Sequence, residues 1–401
     1  MEISGPKEIL VLNGGSSSVK FALFSVAGEK VSKVFSGSLA EQGKGNWHVT
    51  SKVAQSHKGS DEPPGEPRDE LLARRDHSPA ELIVNWLSQQ KAVNFDRIEV
   101  IGHRIVQGTR DSIPQVITNQ LLNELDDRAV LDPDHIPSEL ELIRLIQGQF
   151  PSKTQIACYD TTFHASMPPV ARALPVPKRF NLQRLGFHGL SYSYLTEELY
   201  KLEGRSADGK VIITHLGSGA SMTALVKGKS VDTSMGYTPA AGLIMATRPG
   251  DLDPGVLRQM MISEDLSADE LNRLVNHECG LLALSGYSSD MRELLKNQQN
   301  HEVAGAIDVF CYKIKKWIGA YAAVLNGLEM LVFSGGIGER VPLIRRKVCE
   351  GLGFLGIILD DAQNEANAAL ISSPLSRVKV RVIPTDEELM IAKIATEFIR
   401  N

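Results

Sequence analysis

The chain carries one device twice, and that repetition narrows the folds open to it. Residues 9–24 read ILVLNGGSSSVKFALF and residues 211–226 read VIITHLGSGASMTALV. In each, an apolar, β-branched run stops at one polar residue, Asn13 or His215. A Gly/Ser turn follows, and an alternating apolar strand resumes. Strands joined by such a tip read as a hairpin. Glycine lets the backbone approach an anion closely, and successive N–H groups form an anion-binding concavity. Two such tips predict two similar half-molecules facing one phosphorylated ligand.

At 401 residues the chain is long enough for two domains. A net charge of −5 argues against a broad nucleic-acid surface, so anion-binding arginines must act locally. The four cysteines (Cys158, Cys279, Cys311, Cys349) form no CxxC pair and read as reduced core thiols of a cytoplasmic protein. No basic leader precedes an apolar stretch, and no apolar run reaches about 18 residues, so no membrane span is expected.

The coarse pattern is strands first, then alternating strand and helix, in each half. Residues 8–55 alternate as strands, with turns at Ala27-Gly28 and Gly43-Lys44-Gly45. Residues 56–77 are polar and charged and read as a solvated excursion. Ser78-Pro79-Ala80-Glu81 is a capping box opening a helix through Leu87. Ser138-x-x-Glu141 and Thr385-x-x-Glu388 read as further caps. Strands are expected at Arg97–Gln107, Gln155–Tyr159, Leu328–Ser334 and Lys379–Ile383. Helices are expected at 190–202 and 303–326. In the latter, Val303, Ile307, Phe310, Ile314, Trp317, Tyr321 and Val324 form one apolar stripe, read as core or dimer interface. The fold class this predicts is mixed α/β with an internal duplication.

Several side chains could carry chemistry. Asn13, Ser16, Ser18 and Lys20 surround the first tip. Arg104 follows a strand and Arg248 lies in MATRPGDLDP; a guanidinium fork fits phosphoryl or carboxylate oxygens, although strand-end arginines are equally common as salt-bridge partners. Asp160 ends a strand and Glu387 opens the last helix. Such carboxylates suit Mg²⁺, which takes one or two of them with substrate phosphates; first-turn acids also simply favour the helix dipole. His188 lies between glycine and aromatic residues in RLGFHGLSY. His103, His164 and His215 lack metal-ligand spacing and read as structural. Asp290 and Arg292, with Gly335–Glu339 after a strand, could hold a nucleoside.

These residues stand in blocks that resemble the acetate kinase family, in the superfamily that also holds sugar kinases, heat-shock chaperones and actin. In order, the blocks are LNGGSSSVKF, GHRIVQG, YDTTFHASMPP, RLGFHGLSY, THLGSGASMTA, VDTSMGYTPAAGLIMATRPGDLDP, SGYSSDMREL, FSGGIGER and IPTDEEL. The resemblance implies duplicated RNase H-like domains, 1–158 plus 385–401 and 159–384. Each would hold a central mixed sheet, with the active site in the interdomain cleft and nucleotide binding and dimerisation in the second domain. It implies Mg²⁺-dependent transfer (Mn²⁺ as the alternative ion) from ATP to acetate, giving ADP and acetyl phosphate, in a cytoplasmic homodimer. Nucleic acid and membrane are not expected partners.

The resemblance also implies roles. Arg104, Arg248, His188 and Asp160 would be catalytic. Asn13, Asp160 and Glu387 would hold the metal. Asn13, Ser16, Ser18, Lys20, His215, Leu216, Gly217, Ser218 and Gly219 would bind phosphate. Asp290, Met291, Arg292, Gly336, Ile337, Gly338, Glu339 and Arg340 would bind the nucleoside. Val106, Leu131, Phe187 and Pro239 would form the acyl pocket. The chain departs from the family pattern at Gly14, Gln107, Thr109, Asp132, Ser218 and Pro249. Tyr192 stands where the pattern has histidine, and Arg340 where it has asparagine. Arg340 bears on nucleotide affinity and leaves another phosphoryl donor, such as pyrophosphate, as an alternative. A nucleotide-binding module without turnover is a separate alternative, against which the arginine pair and the acyl-pocket residues speak.

Because acetate is already ionised at neutral pH, such a reaction needs no general base. Alignment and charge neutralisation must supply the catalysis.

Overall fold

The computed structural model describes residues 7–15, 18–41, 46–54, 66–74, 77–108, 113–129 and 132–399, without the side chains of Ala73 and Arg74. The expected Gly43–Gly45 turn, Ser16 and Leu131 lie outside these residues. The chain divides into two compact units, Met1–Thr162 with Asp386–Asn401, and Phe163–Thr385.

The first unit is built on β1 (Lys7–Gly14), β2 (Ser18–Ala27), β3 (Lys30–Glu41), β4 (Asn46–Val53), β5 (Arg68–Arg74), β6 (Ile98–Ile105), β7 (Gln115–Val116) and β8 (Thr154–Tyr159). These strands form one sheet in the order β5-β4-β3-β2-β1-β6-β8-β7. The second unit holds β9 (Lys210–Leu216), β10 (Ala220–Val226), β11 (Lys229–Thr233), β12 (Met330–Ser334) and β13 (Lys379–Val382), ordered β11-β10-β9-β12-β13. The duplication is legible in this connectivity. In each unit an antiparallel meander (β1-β2-β3 or β9-β10-β11) is extended by two strands parallel to its first member (β6 and β8, or β12 and β13).

Burial explains the strand runs. Ile9, Leu10, Val11 and Leu12 are wholly buried, as are Val211, Ile212 and Ile213. A strand buried on both faces reads as a continuous apolar run. In the first unit, Leu10, Leu12 and Phe21 pack with Ile83 and Leu87 of the helix Pro79–Gln89 and with Leu142 and Ile146 of the helix Ile136–Gln149. Each such buried side chain contributes about 1.5–3 kcal/mol. The helix Glu387–Thr396 packs against β1 and β6. A methyl group on Gly102 would lie 2.6 Å from Ile391 Cγ2, so only glycine lets that helix approach β6 so closely. In the second unit, Leu195 and Leu199 of the helix Gly189–Glu203 pack on Val211, Ile213 and Val332.

Some expectations need correction. The excursion at 56–77 is in part a strand: β5 pairs antiparallel with β4. Its charged residues suit a sheet edge, where alternation between two buried faces is not required. Ser138 does not cap its helix. Pro137 starts the helix earlier, at Ile136, and Ser138 Oγ donates to the His135 carbonyl. Thr385 is not the final cap either: Asp386 accepts from the Leu389 N–H, and Thr385 Oγ1 is hydrogen-bonded to Ser191. The capping box at Ser78 is present as expected. Within the helix His301–Val324 the stripe is buried except at its end, where Trp317 is half-buried and Val324 is exposed. Cys158, Cys311 and Cys349 are buried, Cys279 is half-buried, and all four are free thiols.

Candidate active site

In the first unit the β1–β2 tip is closed by Gly15 N–H donating to the Ser18 carbonyl at 2.8 Å. Asn13, buried at the end of β1, sits opposite exposed Lys20 in the ladder. Its Nδ2 donates to Glu387 Oε2 at 3.0 Å and to Glu388 Oε1 at 2.9 Å. Arg104, near the end of β6, donates from Nε (3.0 Å) and Nη2 (2.6 Å) to Asp160 Oδ2. Burial alone would lower the Arg104 pKa. The charges of Asp160, Glu387 and Glu139, with the Asp160 hydrogen bond, outweigh that and raise it. Asn13, Arg104, Asp160 and Glu387 thus share one electrostatic neighbourhood at the ends of β1 and β6.

Two acids there were not anticipated in a site role. In the sequence, Glu388 reads only as a capping residue. Glu139 is buried within electrostatic reach of Arg104, and both its oxygens accept from the Val106 N–H, at 3.1 and 3.3 Å. Burial pushes its carboxyl up to about 8, against the opposing pull of Arg104 and the Val106 hydrogen bond; Asp132 and Asp160 add to the rise. Its run, SELEL, looks like an ordinary helix face, so only the packing reveals it.

In the second unit the β9–β10 tip repeats the first: Gly217 N–H donates to the Gly219 carbonyl at 2.9 Å. The Ser218 carbonyl accepts from Ala246 N–H, and Leu216 is wholly buried. A methyl group on Gly219 would lie 3.1 Å from both Arg248 Nη2 and His188 Nε2. The glycine therefore admits a guanidinium and an imidazole against the loop. Arg248 Nη1 donates to the Pro239 carbonyl at 2.8 Å. The His188 and His215 rings lie 4.3 Å apart, centroid to centroid. The Nδ1 of each meets a serine at 2.8 Å, Ser221 for His188 and Ser191 for His215.

His188 has a left-handed backbone (φ 58°), which costs a non-glycine residue about 1–3 kcal/mol. The preceding residue is pinned. His164 Nε2 donates to the Phe187 carbonyl at 3.0 Å, while Nδ1 accepts from Ser230 Oγ. Burial lowers the His164 pKa to about 4, which keeps it in this neutral form. The structural reading of His164 therefore holds, with a purpose attached.

The residues expected to meet a nucleoside occupy two segments of this unit. Asp290 caps the helix Met291–Lys296 through the Arg292 N–H and is gripped by the Arg292 guanidinium; Met291 is buried. Gly335–Arg340 is a short helix. Gly336 faces open space, Ile337 is half-buried, and Arg340 is exposed. Glu339 turns inward, accepting from the Gly335 and Thr385 N–H groups at 3.0 and 3.1 Å. Arg345 is wholly buried, and its guanidinium donates to the Gly338 and Glu339 carbonyls and to Asn364 and Asn367. Of the residues expected to form an acyl pocket, Val106 is buried in the first unit and Phe187 and Pro239 in the second.

Among the described residues, no group of three or more His, Cys, Asp or Glu stands ready for a metal, and no helix is long and apolar enough to cross a membrane.

Comparison with known proteins gives these features a context. The model of the Acetokinase family matches residues 8–393. An acetate kinase of Bacillus cytotoxicus is 37% identical over 96% of this chain and 97% of its own length. The crystal structure of Porphyromonas gingivalis acetate kinase superposes with a TM-score of 0.83 at 34% identity, covering 98% of this chain and 100% of that one. A propionate kinase from Francisella tularensis gives 0.86, also at 34% identity, over 98% and 99%. The chain is thus a kinase, a phosphotransferase with a carboxyl group as acceptor. It belongs to the acetokinase family.

Proposed function

We propose that the chain reversibly transfers the γ-phosphoryl group of ATP to the carboxylate of acetate, giving acetyl phosphate and ADP. The observation that carries this reading is the Arg248–His188 pair against Gly219, on a loop built like a phosphate cradle. In this reading, a carboxylate oxygen of acetate attacks the γ-phosphorus in line and the bond to ADP breaks. Acetate is ionised at neutral pH, so no proton is removed. Arg104 holds the acyl carboxylate, and Arg248 and His188 donate to the equatorial phosphoryl oxygens, where negative charge accumulates. The tips at Asn13–Lys20 and His215–Gly219 hold the nucleotide phosphates. Asp290–Arg292 and Gly336–Arg340 take the nucleoside.

Hard oxygen donors fit a divalent cation here. Asp160 and Glu387 both act electrostatically on Arg104, and Asn13 is hydrogen-bonded to Glu387. Those three residues would hold Mg²⁺ together with substrate phosphates and water, a smaller protein contribution than a closed metal cage. Bound there, Mg²⁺ would neutralise phosphate charge. Mn²⁺ has similar ligand preferences and should substitute.

Val106, β-branched and buried, should disfavour an added methylene, so acetate is proposed as the better substrate and propionate as the poorer one. The propionate kinase likeness favours the second reading, in which propionate is preferred. A homodimer formed through the second unit and a cytoplasmic setting complete the proposal.

The test is turnover with ATP, acetate and Mg²⁺, with acetyl phosphate trapped by hydroxylamine. Activity should vanish with EDTA, return with Mg²⁺ or Mn²⁺, and fall by orders of magnitude in Arg104→Ala and Arg248→Ala. Pyrophosphate in place of ATP tests the donor. Near-native turnover of either arginine variant would sink the assigned roles. Light scattering after size exclusion tests the dimer.

A further inference from the structure

Behind His188 lies a buried hydroxyl relay. Tyr192 stands one turn along the helix Gly189–Glu203, its N–H donating to the His188 carbonyl. Its side chain is wholly buried. The phenol is hydrogen-bonded to Ser221 Oγ, and Ser221 Oγ lies 2.8 Å from His188 Nδ1. Ser221 is also wholly buried, on β10 just beyond Gly219. The opposite ring nitrogen, Nε2, is the atom beside Gly219 and Arg248.

We propose that Tyr192 and Ser221 are positioning residues that fix the tautomer of His188, so that Nε2 carries its proton and donates to the transferring phosphoryl group. The direction of the relay follows from acidity. A phenol, with a pKa near 10, is a far stronger acid than an aliphatic alcohol. The phenolic O–H therefore donates to Ser221 Oγ. The single hydroxyl hydrogen of Ser221 then points to Nδ1, which must accept it. A neutral imidazole with Nδ1 as acceptor has its proton on Nε2. Were the tautomer reversed, a lone pair would face the developing negative charge. In the sequence, Tyr192 stands out only as a departure from the family pattern. The fold gives it a task, because the relay is closed to solvent and passes through a strand residue of the phosphate-binding hairpin.

The proposal rests on the assignment of His188 to the phosphoryl group, and the experiment separates the two. Imidazole ¹⁵N spectra of the intact protein, with the His188 signals assigned by their loss in His188→Asn, report the tautomer directly. The wild type should show protonated Nε2 and unprotonated Nδ1. Tyr192→Phe and Ser221→Ala should shift His188 toward a tautomer mixture. Each should lower kcat about tenfold, the effect of losing one orienting hydrogen bond, with KM for ATP and acetate changed less than about twofold. Protonated Nδ1 or a doubly protonated ring in the wild type would overturn the proposal, whether or not the variants fold. So would unchanged kcat and spectra in both folded variants. Full activity of His188→Asn would instead remove the assignment on which the proposal rests.

Discussion

Replacing Arg104 with alanine should damage stability as well as turnover. Asp160 is 1% exposed and Arg104 16% exposed, and two donors converge on one carboxylate oxygen, the nearer at 2.6 Å. At an effective dielectric of about 20, the attraction across that distance is roughly 6 kcal/mol. Desolvation of both ions offsets much of this, so the intact pair is nearly neutral for folding. Removing only the cation is different. It leaves a buried carboxylate unpaired, at a cost of about 3–5 kcal/mol, a large part of a typical domain's stability. Urea unfolding followed by circular dichroism should show the midpoint of Arg104→Ala falling accordingly, with an unchanged slope. Adding Asp160→Asn to that variant should restore at least half of the loss, because no charge remains stranded. Turnover should not return. A stability loss below about 1 kcal/mol in the single variant, or no recovery in the double variant, would refute the buried-pair argument.

Further outcomes follow from neighbouring residues. Burial holds the Glu139 carboxyl up at about 8, above its ordinary value of 4.5. The folded chain therefore binds more protons than the unfolded chain between those values, and stability from this group declines as pH rises through the window and is flat above it. Urea midpoints at about pH 5 and pH 8.5 should show that decline in the wild type and a smaller one in Glu139→Gln. Arg345→Met removes the donors to the Gly338 and Glu339 carbonyls. It should raise KM for ATP at least several-fold and lower thermal stability, with KM for acetate little changed in the same titrations. Val106→Ala should shift the ratio of kcat/KM for propionate over acetate upward by about tenfold, the scale of one accommodated methylene.

Much of the fold was legible because it rests on short-range pattern. Both hairpins combine continuous apolar strands with glycine tips, signals that packing had no reason to override. The final capping residue is ambiguous in the sequence because Thr385 and Asp386 both suit an N-cap, and only the bond to Ser191 removes threonine from contention. Ser138 met a cap pattern by chance, and the nearby proline set the helix start. β5 was hidden because a charged edge strand looks like a loop. In the site, residues on loops with unusual composition, such as Arg248 and Gly219, announced themselves. The residues that hold them did not. Glu139, Ser221 and Tyr192 acquire meaning only when distant segments meet, and no spacing rule encodes that meeting.

The helix that finishes the first unit comes from the far end of the chain: Asn13 and Glu387 bond across 374 positions. During synthesis the early sheet must wait, its Gly102 groove bare, while the whole second unit is translated. Folding of the first unit is therefore incomplete until the helix Glu387–Thr396 has been made and can pack on β1 and β6.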